Sequence, residues 1–242
     1  MNVSDSTPEG AVSGTARRLR VAGTLLTIGF VGQLIVTVAL HPGGEEDNHT
    51  KIFTDYADSD PWVAVHILQF LGGLLVIAGL IALYPLIRER GAGLLAGFAT
   101  AAAVATAATL AVLQGLDGVA LKQATEAWVA ASPQDEAARF ADAETIRWLE
   151  WGFQSYFRLM FGLSFVLFGA ALLVVRLGPT WLGWAGIVAG LLSIAYGIDV
   201  GYSGLESDFQ GVAAIALILS VLVFALGTLL TGRRVDRTPA PA

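Results

Sequence analysis

The sequence predicts an all-α membrane protein: a six-transmembrane-helix bundle with both termini cytoplasmic and helical extracytoplasmic loops. Three observations predict it. Hydrophobic residues make up 55% of the 242 and charged residues only 14%, with mean hydropathy +0.66; a soluble domain carries about 25% charged residues. Six apolar stretches each exceed the ~20 helical residues that cross a hydrocarbon core. The arginines of the short loops all fall on one side of such a bundle. Exposing this much apolar surface to water would cost roughly 25 cal/mol per Å², a cost that a bilayer removes. Lipid offers no partner for backbone N–H and C=O groups, so the spans must be helical. The period-two alternation of a membrane barrel is absent.

The start, 1–16, is polar and rich in Ser, Gly and Thr, and reads as a disordered tail. Arg17, Arg18 and Arg20 then introduce span one, 19–40. This run is too long for a signal-peptide core and ends at Leu40-His41-Pro42 without a small-residue cleavage pattern, so it reads as retained. In 48–57, Ile52, Phe53 and Tyr56 share one helical face, which predicts a short helix lying on the membrane. Asp60 as N-cap and Pro61 as first helical residue open span two, 62–87. Arg88 to Gly91 turn the chain into span three, 91–116. Gly115 and Gly118 predict a break there, followed by a helical stretch through Trp128. Ser132-Pro133-Gln134-Asp135 reads as a cap with Pro at N1 and an acid at N3. Helical character then runs into span four, 153–176, which should project beyond the bilayer. Arg176, Gly178 and Pro179 lead to span five, 180–200, and span six covers 210–231. The organisation is therefore a tail 1–16, a transmembrane domain 17–232 and a tail 233–242.

Orientation follows from the positive-inside bias. Arg17, Arg18, Arg20, Arg88, Arg90, Arg176, Arg233, Arg234 and Arg237 mark the cytoplasmic side. The opposite loops hold most of the acids, a solvated face that also suits a cationic ligand. Trp62, Trp148 and Trp151 fit an outer aromatic belt, Trp181 and Trp184 an inner one. Small residues recur along span five at Gly183, Gly186, Gly190, Ser193, Gly197 and Gly201, predicting close helix packing inside the bundle; Gly93 and Gly97 predict a shorter seam on span three.

Ionisable groups inside a membrane cost at least ~2.5 kcal/mol at its centre. They need a partner or a purpose. Those in the outer half are His66, Gln69, Gln114, Asp117, Glu150, Gln154, Arg158 and Asp199, with Gln33 deeper. Arg147, Glu150, Gln154 and Arg158 follow three- and four-residue steps, so they form one stripe on span four. Four helices thus offer polar groups at a common depth. These eight residues are the candidate ligand-binding site, an outward-facing polar pocket; a purely structural network that holds helices together is the competing reading.

The absence of cysteine excludes disulfides, thiolate chemistry and iron–sulfur clusters. His66 is the one embedded histidine, His41 and His49 lie on a loop, and no HExxH spacing occurs, so no metal and no cofactor is expected. No phosphate-binding glycine loop or nucleic-acid signature appears, and net charge is −6. The partners expected are the lipid bilayer and a small-molecule ligand.

Four stretches carry a resemblance: His41-Pro42-Gly43; Trp62-Val63-Ala64-Val65-His66-Ile67-Leu68-Gln69-Phe70; Gln114-Gly115-Leu116-Asp117-Gly118-Val119-Ala120-Leu121-Lys122; and Arg147-Trp148-Leu149-Glu150-Trp151-Gly152-Phe153-Gln154-Ser155-Tyr156-Phe157-Arg158. Together they resemble an uncharacterised family of prokaryotic multi-span integral membrane proteins. That resemblance implies a multi-pass protein of the prokaryotic plasma membrane and brings no activity. The expected role is binding, sensing or transport of a small ligand. The alternative is an enzyme acting on a lipid or isoprenoid by acid catalysis, with Glu150 or Asp117 as proton donor.

Overall fold

The computed structural model describes residues 8–41 and 44–235. Pro42, Gly43, Arg237 and the first seven residues of the expected N-terminal tail lie outside them. The described residues are helical apart from turns and short connections. The helices are α1 (Pro8–Leu40), α2 (His49–Asp58), α3 (Trp62–Ile81), α4 (Tyr84–Arg88), α5 (Gly93–Gly115), α6 (Lys122–Val129), α7 (Glu136–Val174), α8 (Thr180–Ser203) and α9 (Asp208–Val235), with a π-helical turn over Leu116–Leu121 between α5 and α6.

Six helical segments are long and apolar enough to cross a membrane. Pro85, at the start of α4, has no N–H to continue the ladder, which explains the irregularity at Ala82 and Leu83 within the second span. Each span packs on its neighbours in the chain, and α1 closes on α9, so the spans form a ring. Leu26, Leu80, Leu110, Phe165, Phe168, Val221 and Phe224 fill its interior. Between 22% and 50% of each span's most apolar window is buried. The remaining apolar side chains, such as Ile28, Leu94, Val104, Val174 and Ile215, face outward. A soluble monomer rarely exposes apolar patches of more than a few hundred Å², so this belt identifies lipid as the solvent of the fold.

The tightest seam joins α7 to α8. A Cβ on Gly190 would strike the carbonyl oxygen of Gly162, and one on Gly169 the carbonyl oxygen of Gly183. Lipid is as apolar as leucine, so helix association in the membrane relies on such close approach and on hydroxyl bridges. Ser193 Oγ donates to Arg158 O at 2.8 Å and Ser155 Oγ to Gly197 O at 2.7 Å. A side chain on Gly232 would collide with the Ala16 and Arg20 backbone, so both ends of the chain leave the ring at one end. Beyond the other end α7, with 39 residues at ~1.5 Å per residue, continues as a cap with α2 and α6.

Several expectations change on contact with the structure. α1 already begins at Pro8, inside the stretch read as a tail. The apolar face of α2 is buried against the π turn, α6 and α7 (Leu121, Trp128, Phe140 and Ala143) instead of lying on lipid. Trp62, assigned to the aromatic belt, is fully buried in the same cluster. Pro61 stands at the cap of α3 in place of Asp60, and Trp62 N donates to Ser59 O at 3.3 Å. Gly115 and Gly118 do not break the helix; it widens into the π turn and continues. Ser132 Oγ donates to Asp135 Oδ2 at 2.8 Å, and Asp135, not Ser132, precedes the first residue of α7. Gly97 meets no neighbour and Gly93 only the Arg88 side chain of the preceding helix, so these two glycines form no close-packed seam on span three.

Candidate functional site

The polar residues gather where the cap meets the ring. Arg147, on the cap-side half of α7, is 1% exposed. Its guanidinium donates to Glu150 Oε2 at 2.6 Å, one turn further along α7, and to Glu46 Oε2 at 2.6 Å and Glu46 O at 3.1 Å, in the segment before α2. Tyr56 Oη, on α2, donates to the same Glu46 oxygen at 2.9 Å. Burial, offset in part by Arg147, pushes the Tyr56 phenol well above its ordinary pKa, so it remains a neutral donor. Tyr56, Glu46, Arg147 and Glu150 are thus joined in one hydrogen-bonded cluster. Lys122 Nζ donates to the carbonyls of Tyr56 (3.0 Å) and Ala57 (2.7 Å), closing the C-terminal turn of α2.

His66 and Asp117 form the adjoining pair. His66 Nε2 lies 3.0 Å from Asp117 Oδ2, and His66 Nδ1 lies 2.8 Å from Trp62 O. Trp62 Nε1 donates to Asp117 O at 2.9 Å. The π turn and Gly118 make this contact possible: a Cβ on Gly118 would collide with His66 Cβ. The rings of His41, Tyr56, Trp62 and His66 pack in sequence, with His41 5.0 Å from Trp62 and 5.2 Å from His66.

The other expected site residues occupy separate surroundings. Gln69 Nε2 donates to Thr37 Oγ1 at 2.9 Å. Gln114 Oε1 is buried with no hydrogen-bond partner among the described residues, and Gln154 is half-buried. The Arg158 guanidinium lies 3.7 Å from the Tyr196 ring centroid. Asp199 accepts from Ser207 Oγ at 2.5 Å and Gln210 Nε2 at 2.8 Å, tying the turn between α8 and α9. Of the eight, then, the structure pairs His66 with Asp117, ties Glu150 to Arg147, and holds Gln69, Arg158 and Asp199 in local contacts. Sequence reasoning missed Glu46 and Tyr56, and counted Arg147 only as part of a stripe. The acid-rich segment 45–47 gave no sign that one carboxylate turns inward.

A cleft of about 640 Å³ opens on the cap, lined among others by Glu45, Asp47, His49, Phe140, Glu144 and Glu206. None of the eight expected residues lines it. His49 Nδ1 lies 2.9 Å from Glu144 Oε1, and the His49 ring packs edge-on against Trp151 at 5.8 Å. Trp151 Nε1 and Arg147 Nε are buried donors without a partner among the described residues. An unmet buried donor costs about 1–3 kcal/mol. A second concavity, about 300 Å³, lies between α6 and α7 beside Gln123, Arg139 and Asp142.

A family model described as "Domain of unknown function (DUF4386)" matches residues 21–232, from the first span to the end of the last. No curated protein and no solved structure matches the chain.

Proposed function

The chain belongs to the DUF4386 family of domains of unknown function, and from that premise we propose that it is a receptor-like protein of the prokaryotic plasma membrane. In this reading its termini are cytoplasmic and its extracytoplasmic cap binds a small cationic ligand. The arginines at the chain-end face of the ring support the orientation.

The observation that carries the reading is the construction of the segment between α1 and α2. Glu45, Asp47 and His49 line the cleft, while Glu46 between them turns inward to the buried Arg147. A ligand seated in the cleft would therefore act on the segment that holds the internal ion network. The cleft's carboxylates favour a cation. The packed interior of the ring, around Phe165 and Phe224 at 5.3 Å, favours binding and sensing over conduction. Glu150 and Asp117 are each engaged by a partner and neither lines the cleft, so neither is placed to protonate a molecule seated there.

The test is thermal unfolding of the detergent-purified chain against a panel of small organic cations, including polyamines and quaternary amines. At least one should raise the melting temperature, and the shift should disappear in Glu144→Gln/Glu206→Gln. A panel without any shift, or a shift intact in that double variant, contradicts the reading. Reporter fusions at each terminus test the orientation independently.

A further inference from the structure

We propose that His41, His66 and Asp117 form a binding site for a divalent transition metal ion of the zinc class. The site goes beyond the ligand reading and stands apart from the acidic cleft, which none of the three residues lines.

The first argument is geometric. The three side chains come from the end of α1, from α3 and from the π turn, and one ligand atom of each lies within 4.8 Å of the others. Bonds of ~2.0–2.2 Å to a tetrahedral zinc ion set its ligand atoms about 3.4 Å apart. The 3.0 Å between His66 Nε2 and Asp117 Oδ2 and the 4.8 Å limit of the set bracket that value. Small side-chain adjustments bring all three atoms onto one ion.

The second argument concerns hydrogen-bonding roles. The Trp62 carbonyl can only accept, so His66 Nδ1, at 2.8 Å from it, carries a hydrogen. In a neutral ring Nε2 then holds a lone pair, and it faces a carboxylate oxygen that is itself an acceptor. Two acceptors 3.0 Å apart require either a proton shared between them or a metal ion. A histidine that ligates metal through one nitrogen usually donates its other N–H to a carbonyl or carboxylate, which fixes the tautomer and the ring. His66 has that arrangement. The backbone that carries Asp117 is held by Trp62 Nε1, which donates to the Asp117 carbonyl.

The backbone agrees. The π turn, a local geometry common at functional sites, is what places Asp117 against His66. Two imidazoles and one carboxylate suit zinc-class ions better than magnesium or calcium. Three protein ligands also leave a fourth position for water or a substrate oxygen.

The test uses the full chain in detergent, stripped with chelator and titrated with Zn²⁺. Bound ions are counted by elemental analysis, and Co²⁺ then reports coordination through its visible absorption. One ion per chain is expected. His66→Gln and Asp117→Asn should weaken affinity by at least about 100-fold, since even outer-shell changes cost 10–100-fold. His41 is half-buried, and His41→Ala, taken as a folded and monodisperse variant, should produce the same loss. Glu144→Gln/Glu206→Gln should retain the ion, which separates this site from the cleft. A folded, monodisperse wild-type chain that takes up no ion overturns the proposal. So does equal affinity in His41→Ala, or loss of the ion in the cleft variant.

Discussion

At the cap end a guanidinium, 1% exposed, sits 2.6 Å from each of two carboxylates; at the level of Gly190 the helices α7 and α8 meet backbone to backbone. The two regions solve one problem under different conditions. Deep in the ring, helices gain nothing from hydrophobic exclusion, because lipid is already apolar. They associate through close contact and single hydroxyl bridges such as Thr106 to Ser164 at 3.1 Å. At the cap, helices of different origin are joined by ion pairs and aromatic stacking, which demand particular partners. The ring defines a generic bundle, and the cap defines this one.

Breaking the cap pairs should have the largest effect. Arg147→Met strands Glu46 and Glu150 inside the cap and should cost about 3–5 kcal/mol, read as loss of stability in thermal or denaturant unfolding in detergent. Tyr56→Phe removes a donor to a charged oxygen and should cost about 1.5–3 kcal/mol. It should also change the response to alkali. The unfolded phenol ionises near pH ~10 while the folded one holds its proton. Wild-type stability therefore falls as pH rises above ~10, and the Phe variant should show a shallower fall.

In the ring the same substitution should give opposite results at two sites. Gly190→Ala forces α7 and α8 apart and should cost about 1–3 kcal/mol. Gly97→Ala meets open space and should be neutral or stabilising by about 0.5–1 kcal/mol, since alanine suits a helix better than glycine. Ser193→Ala, which removes one interhelical bridge, should cost only ~0.6 kcal/mol. Equal effects of Gly190→Ala and Gly97→Ala would erase the distinction between a packed seam and a lipid-facing surface.

The ring was legible because each of its spans is a local run of apolar residues, and the glycine steps of span five lie on a single helix face. The cost of ionisable groups in lipid pointed to His66, Asp117 and Glu150 without knowledge of any contact. The cap was less legible. Ile52, Phe53 and Tyr56 form an apolar face that suits lipid or protein equally, and only α6 and α7, far away in the chain, decide between them. Gly115 and Gly118 read as a break because glycine weakens helices, whereas Gly118 is needed where His66 approaches. Glu46 looks like its exposed neighbours in an acidic loop. Its role depends on Arg147, 101 residues away, a pairing that no local pattern encodes.

A double-mutant cycle between Glu46 and Arg147, measured by unfolding in one detergent, tests most directly the claim that the cleft segment is locked to the bundle through a buried ion pair. Glu46→Gln, Arg147→Met and the double variant should be non-additive by about 2 kcal/mol or more, as groups in one network are. Additivity within about 0.5 kcal/mol would show that the two side chains do not act together, and would contradict the account.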